Sequence, residues 1–92
     1  MSRNAESAAE VWGRTIRPEI GDLTIEAAQD LLRLRFAEVD AERVQLLSRK
    51  ANAGQLTSAE EDELDHYLSI GRALEFLKAK ARQSLREKSS AV

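Results

Sequence analysis

The chain has no cysteine, one proline, four glycines and a single histidine among its 92 residues. Without cysteine there are no disulfides and no thiolate chemistry, and cysteine usage says nothing about redox compartment. The glycines are scattered and form no loop that could cradle a phosphate. Val, Ile and Thr are few, so little in the composition favours strands. No apolar run approaches the roughly 20 residues that span a membrane. The N-terminal stretch MSRNAESAAEVWGR carries Glu6 and Glu10 and has no apolar core of signal-peptide length. A cytoplasmic location with no membrane contact is the expectation. Positive charge is not in excess either. Fourteen Lys and Arg face sixteen Asp and Glu, a net charge of −2 with a pI near 5.4. That balance excludes a globally basic nucleic-acid binder but leaves room for a local basic patch.

Hydrophobic residues make up 42% of the chain, Leu and Ala foremost, which predicts an all-α fold. Residues 1–92 are expected to form one helical domain, with 1–15 a mobile arm and 89–92 a frayed tail. A domain this small buries a limited share of its surface, so oligomerisation is a natural supplement.

Punctuation along the chain predicts four helices. The first runs from Ser2 to about Arg14 and is thin in apolar residues, with Val11 and Trp12 at its end. Pro18 and Gly21 then impose a short extended connection over residues 16–22. Thr24 is the expected N-cap of a second helix that places Ile25, Ala28, Leu32 and Phe36 on one face, with Leu31 beside them. Asp40 is the expected cap of a third helix to about Ala53, whose apolar face is Val44, Leu47 and Ala51, and Gly54 closes it in a left-handed conformation. Thr57-Ser58-Ala59-Glu60 then spells a capping box.

Residues 54–88 follow as one amphipathic helix of about 30 residues, roughly 45 Å long, against a radius of gyration of about 12 Å for a compact monomer of this size. Such a helix calls for another surface to cover it. The expected architecture is therefore short N-terminal helices packed on one long C-terminal helix, a helical hairpin or bundle, completed by dimerisation. Leu64, Tyr67, Gly71, Leu74, Ala81 and Leu85 form its core-facing stripe, flanked by Ile70 and Leu77. Leu68 and Phe76 lie away from that stripe, so the middle of the helix is apolar on more than one side. Leu64, Tyr67, Leu68, Gly71, Leu74, Phe76, Leu77, Ala81 and Leu85 are accordingly the expected protein interface. The simpler arrangement has one chain wrap its own short helices around the same residues. Gly71, costly inside a helix, points to close approach by a neighbouring backbone, with an incidental glycine as the alternative.

Charge on the long helix is polarised. Glu60, Glu61, Asp62, Glu63 and Asp65 crowd its start, and Lys78, Lys80, Arg82, Arg86 and Lys88 its end. Each block suits the helix dipole, which accounts for the layout alone. The same layout favours antiparallel over parallel pairing of two such helices. The basic end is the expected contact if nucleic acid is bound, with Arg33, Arg35, Arg43, Arg49 and Lys50 adding charge in the middle helices. A helix-turn-helix over residues 24–53 lacks the tight glycine turn and a base-reading helix.

No catalytic, metal or cofactor constellation stands out. His66 and Asp62 are one helical turn apart, too few ligands for a metal. The carboxylates at 60–65 lie on a helix rather than in a calcium-binding loop, and no Ser or Thr has a histidine base placed by a nucleophile motif. The expectation is a protein that is not an enzyme and uses no cofactor.

The run from Gly21 to Ala28, then Leu34-Arg35-Phe36, Asp40, Gly54-Gln55-Leu56-Thr57 with Glu60, Glu61, Glu63, Leu64 and Tyr67, and finally Lys80-Ala81-Arg82-Gln83-Ser84-Leu85, resembles a group of small uncharacterised all-helical bacterial proteins often encoded beside HNH-type nuclease genes. The resemblance spans about residues 12–86 and carries over no catalytic residue. It implies a protein partner such as a nuclease, and with it an antitoxin-like or inhibitory role in which the acidic block covers a basic nucleic-acid channel. Two functions are thus expected from the sequence: a self-associating helical interaction module that binds a protein partner, or a nucleic-acid-binding regulator using the basic end of the long helix.

Overall fold

The computed structural model describes residues 5–90, with side chains through Ser89. Among the described residues there are four helices, α1 (Ala8–Ile16), α2 (Ile25–Leu32), α3 (Glu38–Asn52) and α4 (Ser58–Ser90), and no strand. The fold is all-α, with the long C-terminal helix packed against shorter ones. Packing gathers the chain into two compact units. One combines the residues through Leu34 with those from Arg72 onward, and the other is Arg35–Gly71.

In the first unit α1 starts later than the composition suggested, because Ser7 caps it. The Ser7 hydroxyl accepts from the Glu10 amide at 3.1 Å and the Ser7 amide donates to Glu10 Oε1 at 2.9 Å, a reciprocal capping box. The spacing that makes it, Ser7-Ala8-Ala9-Glu10, stands in the sequence. Part of the expected arm from Ser2 lies outside the described residues. No residue of α1 is fully buried. Arg17 ends α1 in the left-handed conformation (φ 55°, ψ 66°), with its amide donating to the Gly13 carbonyl at 2.9 Å. Pro18 and Glu19 complete a turn closed by the Ile20 amide on the Arg17 carbonyl at 3.0 Å. Thr24 caps α2 as expected, accepting from the Ala27 amide at 3.1 Å. The helix ends at Leu32, one turn before Phe36, so the expected face does not run through. Of its members Ala28 is buried and Ile25 remains 43% exposed.

In the second unit α3 begins at Glu38 with Ala37 at the cap and no side-chain cap bond. Asp40 therefore does not cap it. The carboxylate instead accepts the Tyr67 hydroxyl at 2.7 Å. Tyr67 also meets the Phe36 ring edge to face, with centroids 5.7 Å apart and planes at 76°. Leu47, in the middle of α3, is fully buried. The exit is a Schellman motif: Gly54 adopts φ +68°, its amide donates to the Ala51 carbonyl at 3.0 Å, and the Gln55 amide donates to the Lys50 carbonyl at 2.8 Å. The Thr57 box then starts α4. The Glu60 amide donates to the Thr57 hydroxyl at 3.1 Å and the Thr57 amide to Glu60 Oε1 at 3.0 Å. The tail expected to fray at 89–92 continues as helix through Ser90; residues 91 and 92 lie outside the described residues.

Gly71 has a role different from the one its position suggested. A Cβ built there would meet only the Phe36 ring, at 3.8 Å, which is ordinary van der Waals contact. The glycine of close approach is Gly21. Its Cβ would lie 2.7 Å from both the Gln83 carbonyl oxygen and the Ser84 amide nitrogen.

Candidate functional site

The polar chemistry of the first unit converges where the loop from Arg17 to Leu23 lies on α4. Lys80, Ser84 and Glu87 succeed one another at intervals of four and three, which brings them to one side of the helix. Lys80 Nζ donates to the Ile20 carbonyl at 2.8 Å and the Arg17 carbonyl at 3.3 Å, and it pairs with Asp22 Oδ1 at 2.7 Å. An ammonium has three protons, and here three acceptors meet them. The side chain is 13% exposed. Asp22 is held below the usual carboxylate range, first by its hydrogen bond to Lys80. The buried Ser84 hydroxyl accepts from the Leu23 amide at 3.1 Å and donates to the Lys80 carbonyl at 2.8 Å. Glu87 takes the Gly21 amide at 3.2 Å. This is a clamp that holds a loop. It removes Lys80 from the set offered to nucleic acid.

The rest of that basic set differs in exposure. Lys78 and Lys88 are half-buried, whereas Arg82 and Arg86 are exposed. Arg86 donates to the Gln83 side chain at 2.6 Å. Arg33 is engaged with Asp30, and Arg43 and Lys50 are engaged in the second unit.

The acidic block also divides. Arg43 grips Glu63 through two bonds of 2.7 Å, and Lys50 reaches Glu60 at 2.5 Å, so these two carboxylates tie α4 to α3. Glu63 is held below its ordinary range by the Arg43 hydrogen bonds. Glu60 is lowered to about 2, first by Lys50 and then by the Thr57 amide. The Asp40 carboxylate that accepts the Tyr67 hydroxyl raises the phenol above its usual range. Glu61, Asp62 and Asp65 are exposed, and none forms an ion pair among the described residues.

Of the apolar residues expected at a protein interface, Ala81 is fully buried within its own chain, while Tyr67 and Gly71 face Phe36. Leu64, Leu74, Phe76, Leu77 and Leu85 are half-buried. Ala81 is thus packed inside its own chain, and Tyr67 and Gly71 meet Phe36 of the connection between α2 and α3. Leu68 is the exception, at 54% exposure. Ile70 is 51% exposed and Val39, on α3, is 70% exposed.

Depressions on the surface are open. One, in the first unit, is lined by Ala9, Glu10, Gly13, Arg14, Arg17 and Glu19, and another, in the second, by Ala51, Gly54, Leu56 and Glu61. His66 and Asp62 are both exposed, and among the described residues no three His, Asp or Glu side chains come together to hold a metal. No helix of the described residues is long and apolar enough to cross a membrane. Comparisons with protein-family models, with curated proteins and with solved structures find no match.

Proposed function

We propose that the protein is a small cytoplasmic helical interaction module that self-associates and binds a protein partner. One observation carries this reading: the balance between what is buried and what is left out. Among the described residues Ala28, Leu47 and Ala81 are the buried hydrophobic ones, whereas Val11, Ile25, Leu34, Val39, Leu46, Leu68 and Ile70 are 39–70% exposed. Burial is worth about 25 cal/mol per Å² of apolar surface, so side chains of this size left in water favour association. Light scattering tests it directly. The expected mass is twice 10.3 kDa at micromolar concentration, and a mass that stays at 10.3 kDa at every accessible concentration refutes it.

An antitoxin-like or nuclease-inhibiting role is part of the same proposal. Its support is the exposed trio Glu61, Asp62 and Asp65, whose charge suits a basic channel. Inhibition of a co-purifying nuclease, lost on reversing those three charges, tests it; unchanged inhibition refutes it.

Exposed Arg82 and Arg86, with Arg72 a few turns earlier, favour a second reading as a nucleic-acid-binding regulator. Lys80 is not among its contacts. Binding to arbitrary duplex should then fall steeply with salt, and absence of binding at low salt removes it.

A further inference from the structure

α4 carries a second stripe, distinct from the residues it buries, at alternating steps of four and three residues. Its acidic end is Glu61 and Asp65, its centre Leu68, Arg72, Glu75 and Ala79, and its basic end Arg82 and Arg86. All are exposed except the half-buried Ala79. Among the described residues none of the six charged side chains has an ion-pair partner, and only Arg86 makes a side-chain hydrogen bond, to the neutral Gln83. Alternating fours and threes keep a stripe facing a neighbouring helix over many turns.

The order of charges along this stripe is self-complementary. It is symmetric about the point between Ala73 and Leu74, and a two-fold axis there opposes residues equally distant from that point. Each opposition is then favourable: Glu61 meets Arg86, Asp65 meets Arg82, Arg72 meets Glu75, and the one exposed leucine, Leu68, meets the one alanine, Ala79. Sliding the second helix by one heptad in one direction sets Asp65 against Glu75. Sliding it in the other sets Arg72 against Arg82. Parallel pairing in register sets every charge against its own copy. The stripe therefore specifies orientation and register together, as charges flanking helix pairs do.

We propose that a second copy of this chain docks antiparallel on this stripe of α4, in the register that places Leu68 of each copy over Ala79 of the other. The inference rests on the self-association proposed above and names its surface. The contact runs over about 38 Å of helix. Six ion pairs and two leucine–alanine contacts make a wet, salt-sensitive interface, since exposed ion pairs are individually weak and screened. A basic partner covering Glu61 and Asp65 competes with the second copy.

The test uses the full chain and its lack of cysteine. Arg82→Glu with Arg86→Glu in one variant, and Glu61→Arg with Asp65→Arg in another, each place four like-charge oppositions in a homodimer. Dissociation, followed by light scattering and sedimentation, is expected to become at least tenfold easier in each, while an equimolar mixture recovers the native value within about threefold. Separately, Leu68→Cys and Ala79→Cys chains, mixed and oxidised, are expected to form the mixed disulfide in preference to either homodimer. This measurement stands even where a charge-reversed variant does not fold. A native chain that dimerises while charge reversal leaves its dissociation unchanged, or while Leu68→Cys cross-links to itself, overturns this surface and leaves self-association intact. A chain that stays monomeric overturns both.

Discussion

Replacing Gly21 by alanine is the sharpest probe of the clamp. The added methyl would sit 2.7 Å from the Gln83 carbonyl oxygen and the Ser84 amide nitrogen and 2.8 Å from the Gln83 carbonyl carbon. All three are backbone atoms inside α4, so the helix cannot yield as a flexible side chain would. The loop must lift instead, by the better part of an ångström to reach ordinary contact. Overpacking of this kind costs about 1–3 kcal/mol. Lifting the loop also stretches the Leu23 amide bond to Ser84, the Gly21 amide bond to Glu87 and the Lys80 bond to the Ile20 carbonyl. Each net hydrogen bond is worth about 1 kcal/mol, and a buried hydroxyl stripped of its donor costs more. A total of about 2–4 kcal/mol follows, or a fall in Tm of roughly 10–20 °C for a domain of this size. Thermal unfolding measures the sum, and hydrogen exchange at the Leu23 amide shows whether the loop has lifted. A Tm within 2 °C of the native chain's, with Leu23 equally protected, would mean that Gly21 does not touch α4 as described.

Gly71→Ala should act in the opposite direction, because the methyl meets only the Phe36 ring at a comfortable 3.8 Å. Alanine in place of a helical glycine should raise stability by about 0.5–1 kcal/mol, and a lower Tm would show that a backbone does pass close to it. Thr57→Ala removes the acceptor for the Glu60 amide and should cost about 1 kcal/mol in chemical denaturation. An unchanged midpoint would displace the start of α4 from Ser58. Acid should loosen the second unit through Glu60, whose ordinary value of 4.5 falls to about 2 in the folded chain. Because the folded value is the lower one, its contribution is complete above about 4.5 and is lost as pH drops toward 2. Glu60→Gln should flatten the stability profile across that window, and a profile as steep as the native one would assign the acid sensitivity to other carboxylates.

Local rules were enough wherever bonding partners lie within a few residues of each other. The Thr24 cap, the Gly54 closure and the Thr57–Glu60 box depend on bonds spanning three to five residues, and the structure has each where the spacing predicted it. Ser7–Glu10 obeys the same rule and was legible, but the alanine-rich stretch around it drew the helix start too early. Asp40 misled because an aspartate near a helix start suits two uses. As cap or as acceptor it is equally at home, and only Tyr67, 27 residues away, decided for the second. Phe36 similarly continues a helical spacing that the tight turn after Leu32 has already ended.

The sequence by itself determined the helical class, the order of the elements and the charge order along α4, because these follow from propensity, capping and the period of a helix. It also contains the self-complementary stripe in full, yet could not mark it as free. Which side of α4 is spent on the rest of its own chain depends on contacts across 10 to 66 residues, such as Lys50 with Glu60 and Gly21 with Glu87. Tertiary structure alone decided that Glu60, Glu63 and Lys80 are engaged within the chain while Glu61, Asp65, Arg82 and Arg86 stay exposed. It alone decided that Gly21, and not Gly71, is the glycine a neighbouring backbone requires. The physical reason is the same in each case. A side chain's chemistry is local, but whether it is already satisfied depends on what the fold brings against it.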